Sequence, residues 1–225
     1  MGAAYEVLRM SQANGVISFE RSTIPEDNLP DTLNGESGHH VCYVNMLTGE
    51  IAKRLVQMTD QYQLDDDEIA KIALAASLHD IGKSRVPKAI LEKKGTLTPV
   101  EYDIVKHHTV LGYEMIQRFG DSLEEDVRAY AQDIARHHHE RYDGTGYPDG
   151  LKGNEIPMTV QAVGLADAYD ALVSQRVYKP AYTHAEALAM IRRGECGAFD
   201  PLLVDCLEDI QSALCREVYG MRGKE

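Results

Sequence analysis

The chain reads as an all-α, single-domain protein. Strand signals are almost absent, apolar residues recur at three- and four-residue spacing from Val41 onward, and N-cap signatures punctuate the sequence. At 225 residues it is long enough for one well-buried core. No internal repeat is evident.

Residues 1–33 fit this pattern least. Their apolar residues are scattered, and Pro25 and Pro30 bracket an acidic, extended segment. They are expected to form an arm packed on the domain or the remnant of a linker. The domain itself is expected over 34–219, with 220–225 as a short tail.

Val44, Leu47, Ile51, Leu55 and Met58 form the apolar face of the first helix. A second helix is expected from about Asp67 to Asp80, before Gly82. Thr98, Pro99 and Glu101 combine an N-cap, a first-turn proline and a capping-box glutamate, opening a helix to about Phe119. Ser122 and Glu125 have the same spacing and predict a helix to about Glu140. Gly144, Gly146, Pro148, Gly150, Gly153 and Pro157 then make Asp143–Pro157 an ordered loop. Further helices are expected over Met158–Gln175, from the Thr183–Glu186 capping box, and from Pro201 to about Tyr219.

Apolar content of 44% and charged content of 26% are those of an ordinary globular protein. Apolar runs such as Ile72–Ala76 are too short to span a bilayer, and the N-terminus lacks a signal-peptide pattern. A cytoplasmic location is the expectation. Net charge is −13, from 36 acidic and 23 basic residues, which argues against binding long nucleic acid. A small anionic ligand remains compatible, because divalent cations invert the sign of a pocket. Cys42, Cys196, Cys206 and Cys215 show no CxxC pairing and read as reduced thiols, not a zinc module.

Periodicity sorts the histidines. His138 continues the face of Val127, Tyr130, Ala131 and Ile134, and His108 shares a face with Val105, Gly112 and Met115. Asp167 lies among Val160, Val163 and Ala171, where a carboxylate is costly unless paired or bound to metal. His79-Asp80 closes an apolar helix. Any one inward histidine reads as a hydrogen-bonded core residue. Three helices each offering an inward ligand, His108, His138 and Asp167, with the His79-Asp80 and His138-His139 doublets, point to metal. His107, His137, His184 and His39 read as bystanders. Imidazole and carboxylate without thiolate suit Fe, Mn, Zn or Ni better than Ca or Mg. Such ions commonly serve phosphoryl hydrolysis. Lys83, one turn beyond Asp80, reads as a helix-end cation or as a contact for a phosphate oxygen.

His79-Asp80-Ile81-Gly82-Lys83, followed by the run from His138-His139-Glu140 to Gly146-Tyr147-Pro148, resembles the HD-GYP domain. This is a branch of the HD phosphohydrolase superfamily, and the resemblance extends over about 36–207. It implies an HD-domain helical bundle and metal-dependent hydrolysis of the bacterial messenger cyclic di-GMP to pGpG. GMP follows if the site admits the linear form. Some members accept cyclic GMP-AMP. The implied chemistry is in-line attack on phosphorus by a metal-bridging hydroxide, with iron the first metal expected and manganese next.

By motif position, the resemblance implies metal ligation by His79, Asp80, His108, His138, His139 and Asp167, with Asp80 as bridge and Lys83 at the reacting phosphate. Glu36-Ser37-Gly38-His39-His40-Val41 is similar to the family's ETGxHV segment, adding Glu36 and His40 and a third ion. Gly146, Tyr147 and Pro148 line the substrate. Arg176-Val177-Tyr178-Lys179 is similar to the RPYK segment, implying substrate contacts from Arg176 and Lys179, with Val177 in place of proline. A homodimer or a diguanylate cyclase are the partners expected. The rival readings are an HD nucleotidase and a non-catalytic cyclic-dinucleotide sensor.

Overall fold

A computed structural model of the chain describes residues 4–13, 16–25, 32–33, 36–174 and 181–217. The chain opens with two strands, β1 (Ala4–Ala13) and β2 (Val16–Pro25), paired antiparallel from Ala4↔Pro25 to Ala13↔Val16. Nine α-helices follow among the described residues: α1 (Gly38–Met58), α2 (Asp66–Ala76), α3 (Lys88–Leu91), α4 (Pro99–Lys106), α5 (His108–Phe119), α6 (Glu125–His137), α7 (Met158–Val173), α8 (His184–Arg192) and α9 (Pro201–Glu217). The molecule is therefore mostly helical, as the periodicity predicts. No helix among the described residues is long and apolar enough to cross a membrane.

The hairpin corrects the near-absence of strands read from sequence. Tyr5, Val7, Leu8, Phe19 and Ile24 are buried in the common core. Adjacent Val7 and Leu8 both go inward, which breaks the period-2 alternation that marks a half-buried strand. Asn45 on α1 ties the hairpin to the helices, donating to the Glu6 carbonyl at 2.9 Å and to Ser77 Oγ at 3.1 Å.

α1 is the central helix and packs on α2, α7 and α9, while α6 packs on α2 and α5. Val44, Leu47, Ile51 and Leu55 are wholly buried, as their spacing requires; Met58, at the end of the stripe, is partly exposed. The Thr98–Glu101 and Thr183–Glu186 capping boxes are both formed. Four expected boundaries are corrected. The second helix ends at Ala76, and His79-Asp80 lies in the turns beyond it. The helix expected to Gln175 ends at Val173.

The helix opened at Thr98 is broken at His107. There the His107 and His108 Nδ1 atoms and the Thr109 hydroxyl bond the carbonyls of Asp103, Val105 and Lys106 at 3.0, 2.7 and 2.9 Å. Side chains compete with the helical amides for the last carbonyls of α4, and the chain turns. Ser122, finally, does not cap α6, whose N-cap is Glu124. Its hydroxyl is bound instead to the Phe19 backbone, accepting from N–H at 3.2 Å and donating to C=O at 3.0 Å.

Candidate metal centre

The ends of α1, α2, α5 and α6 converge on one point of the core. His40 lies in the first turn of α1, and His79 and Asp80 follow α2. His108 opens α5, and His138 and His139 follow α6. Three of the imidazoles are aimed by their own chain. Nδ1 of His79, His108 and His138 lies 2.9, 2.7 and 2.9 Å from the carbonyls of Ala76, Val105 and Ile134. A carbonyl can only accept, so Nδ1 carries the hydrogen and Nε2 is the free coordinating atom of the neutral ring.

These Nε2 atoms surround Asp80. Its Oδ1 is 3.1 Å from His108 Nε2 and 3.6 Å from His138 Nε2, while Oδ2 is 3.2 Å from His79 Nε2. Two ligand groups share the carboxylate, Asp80 with His108, His138 and His139, and Asp80 with His40 and His79. Within each group the ligand atoms lie within 4.8 Å of one another. His108 and His138 face each other Nε2 to Nε2 at 3.4 Å, an arrangement of two acceptors that calls for a cation or proton between them. Asp80 Oδ1 and His79 Nε2 are buried without a well-formed hydrogen bond. Orphaned acceptors aimed at one place fit a divalent metal ion.

The electrostatics of His138 and His139 agrees with this assignment, while His79 holds a proton that a metal ion would have to displace. Burial lowers the His138 imidazole to about 4 against the pull of Asp80, and burial with His138 as neighbour puts His139 well below its usual range. Both rings are neutral at pH 7, the form that a metal ion would require. Burial opposes charge on His79 too, but Asp80 outweighs it and raises the ring to about 9. Burial would also raise the Asp80 carboxyl; Lys83 and His79 overcome it and hold Asp80 well below the ordinary carboxylate range.

Lys83 Nζ donates to Asp80 Oδ2 at 2.7 Å and to Glu36 Oε1 at 2.6 Å. Glu36 is thus an ion-pair partner of Lys83 here and is not among the clustered ligand atoms. Asp167 Oδ1 lies 3.4 Å from His40 Nε2 at the edge of the second group. Gly82 lets this turn approach α5, since a Cβ there would sit 1.9 Å from the His108 carbonyl oxygen.

The loop after His139 closes over the cluster. The Tyr147 ring stacks on His139 with centroids 4.8 Å apart, and Pro148 follows through a cis peptide bond. A Cβ on Gly146 would meet the Arg141 backbone nitrogen at 2.4 Å, so only glycine fits there. A cavity of about 650 Å³ adjoins the site, with Glu36, Lys83, Val86, Ile90, Leu97 and Val105 in its wall.

The structure therefore brings together His40, His79, Asp80, His108, His138, His139 and Asp167, with Lys83 and Glu36 beside them. Gly146, Tyr147 and Pro148 lie in the covering loop. Arg176 and Lys179 fall outside the described residues.

Three residues without an assigned role in the sequence reading prove important to this arrangement. Asp170, buried on α7, accepts from His40 Nδ1 at 2.8 Å. Buried Glu140 accepts the N–H groups of Asp149, Gly150 and Leu151 at 2.7, 3.0 and 3.1 Å and shapes the loop. Arg141 donates to the carbonyls of His138, Glu140 and Cys196. Asp170 had a legible signal, a second carboxylate one turn after Asp167 in an apolar helix. His107 is exposed, whereas His137 bonds Asp149 at 2.9 Å and His184 bonds the Tyr169 hydroxyl at 2.7 Å.

Comparison with known proteins agrees with this architecture. The HD domain family matches residues 30–203. The chain is 43% identical to the cyclic di-GMP phosphodiesterase response regulator RpfG of Xanthomonas campestris, over 67% of this chain and 39% of the relative. It is 33% identical to the 3'3'-cGAMP-specific phosphodiesterase 2 of Vibrio cholerae, over 80% of this chain and 32% of the relative. The chain thus spans less than half the length of either relative. The solved structure of an HDG"Y"P protein from Bdellovibrio bacteriovorus shares the fold, with a TM-score of 0.58 and 23% identity over 78% of this chain and 52% of that one. With the HD doublet and the GYP loop meeting at one His/Asp cluster, the chain belongs to the HD-domain family, in its HD-GYP branch.

Proposed function

We propose that this chain is a metal-dependent phosphodiesterase that hydrolyses cyclic di-GMP to pGpG, and onward to GMP. The observation that carries the reading is Asp80, one carboxylate with its two oxygens facing separate histidine groups. His79, Asp80, His108, His138, His139 and Asp167 would hold two divalent ions, with Glu36 and His40 completing the set for a third. Iron is the first choice and manganese the next; zinc and nickel suit the same donors. When bound, such ions supply an activated water nucleophile and neutralise charge on the phosphate.

The chain's own groups do the rest. Backbone carbonyls at Nδ1 fix the direction of the His79, His108 and His138 rings, and Asp170 fixes His40. Lys83, positively charged and already at Asp80, is placed to meet a phosphoryl oxygen. The adjoining cavity is of the size that small-molecule ligands occupy. Gly146, Tyr147 and Pro148 in the covering loop, with Arg176 and Lys179, are assigned to the substrate by motif position. The cGAMP-specific relative supports cyclic GMP-AMP as a second substrate.

The test is anaerobic incubation of iron- or manganese-loaded protein with cyclic di-GMP, with products read by mass spectrometry. The expected result is pGpG followed by GMP, lost on adding a chelator. Asp80→Ala should lose bound metal and turnover together. Intact cyclic di-GMP with a fully loaded centre would overturn the reading.

A further inference from the structure

A stack of rings and one cation runs outward from the histidine cluster. Tyr147 lies on His139, with 27° between the ring planes. Lys106 Nζ sits 5.7 Å from the centroid of Tyr147 and 4.6 Å from that of Tyr102. Asp103 Oδ1 accepts from the same ammonium at 3.1 Å. Tyr102, Val105 and Lys106 share one face of α4 by their spacing, and Val105 lies in the cavity wall. Tyr102 nevertheless keeps 48% of its surface exposed.

An exposed tyrosine beside a lysine one turn away is common on helices. Here the pair abuts the ring that covers the cluster, and the lysine is shared between the two tyrosines. Tyr147 has one face taken by His139. Tyr102 is the ring with area left to offer. A base in a dinucleotide lies one sugar from its phosphate, and Tyr102 begins two groups out from the histidines. Aromatic rings stack on any base because every base has a π-face, and a lysine beside the ring meets the sugar-phosphate charge.

We propose that Tyr102 is the stacking platform for one nucleobase of the substrate, with Lys106 beside it taking the charge of the same nucleotide. The proposal rests on the phosphodiesterase reading above. Stacking is tolerant of base identity, so Tyr102 contributes affinity for guanine and adenine alike and does not choose between them.

The chain contains no tryptophan, so Tyr102→Trp introduces a single indole at the platform. Titrating the metal-loaded variant with a phosphorothioate analogue of cyclic di-GMP should give saturable quenching, and inorganic phosphate should give none. In steady-state assays, Tyr102→Ala should raise KM for cyclic di-GMP by roughly 5- to 100-fold, the range for loss of one base stack, with kcat within about twofold. Tyr102→Phe should restore the wild-type KM. An unchanged KM in Tyr102→Ala would overturn the proposal. So would an unquenched indole while calorimetry shows the analogue bound. If cyclic di-GMP is neither bound nor hydrolysed, a panel of other nucleotides separates the two ideas. Quenching by one of them keeps the platform and removes only the substrate assignment, and quenching by none removes the platform.

Discussion

Gly82 shows how little room the centre leaves at the scale of single atoms. A β-carbon at this position would fall 1.9 Å from the His108 carbonyl oxygen and 2.6 Å from the Gly112 nitrogen, both backbone atoms that a rotamer change cannot relieve. Gly82→Ala should therefore push α5 away from the His79-Asp80 turn. The expected cost is about 3 kcal/mol or more in urea unfolding, accompanied by loss of bound metal measured by elemental analysis. The residues that cluster around Asp80 were largely legible at this scale. His108 and His138 stand at helical spacing from apolar neighbours, and the two doublets flag the rest. Asp170 and Glu140 were not assigned because their roles are to orient other groups, and spacing reports which way a side chain faces but not which ring or amide it meets. The Glu36–Lys83 ion pair joins residues 47 positions apart and has no local signature.

Among the elements, two boundaries decide the site. The break between α4 and α5 exists because His107, His108 and Thr109 occupy carbonyls that a continuous helix would need. The capping signals at Thr98 and Phe119-Gly120 are correct at both ends, and neither reveals an interruption made by side-chain competition in between. The Tyr147 loop depends on Glu140 in the same manner. Its carboxylate satisfies three successive backbone donors, and an amide in its place would set an N–H₂ group against at least one of them. Glu140→Gln should cost about 1–3 kcal/mol of stability, with faster hydrogen exchange at the Asp149, Gly150 and Leu151 amides as the specific readout. Exchange unchanged at those three amides would contradict this account of the loop.

Across the whole molecule, the hairpin is the part the sequence concealed. Asn14-Gly15, outside the described residues, is a two-residue hairpin signal in the sequence itself. The flanking residues hid it, because Val7 and Leu8 both enter the core and remove the alternation. The helical body was legible because α2 and α6 each bury one stripe, as does α1 from Val44 to Leu55, and burial on one face is what periodicity measures; α7, buried nearly all round, is marked by its length instead. Ser122 links the two parts through both polar groups of the Phe19 backbone. Ser122→Ala should lower stability by about 1–2 kcal/mol in thermal unfolding while the metal content stays at the wild-type level.

The anchoring of three imidazoles to carbonyls of their own preceding turns also bears on how such a protein changes over generations. A ligand aimed by a neighbouring side chain is hostage to that neighbour, and both must be kept together. His79, His108 and His138 are aimed by Ala76, Val105 and Ile134 through main-chain atoms that every residue type supplies. Substitution can therefore drift through the surrounding core, residue by residue, without redirecting any of these three Nε2 atoms, so long as the helix ends stay in register.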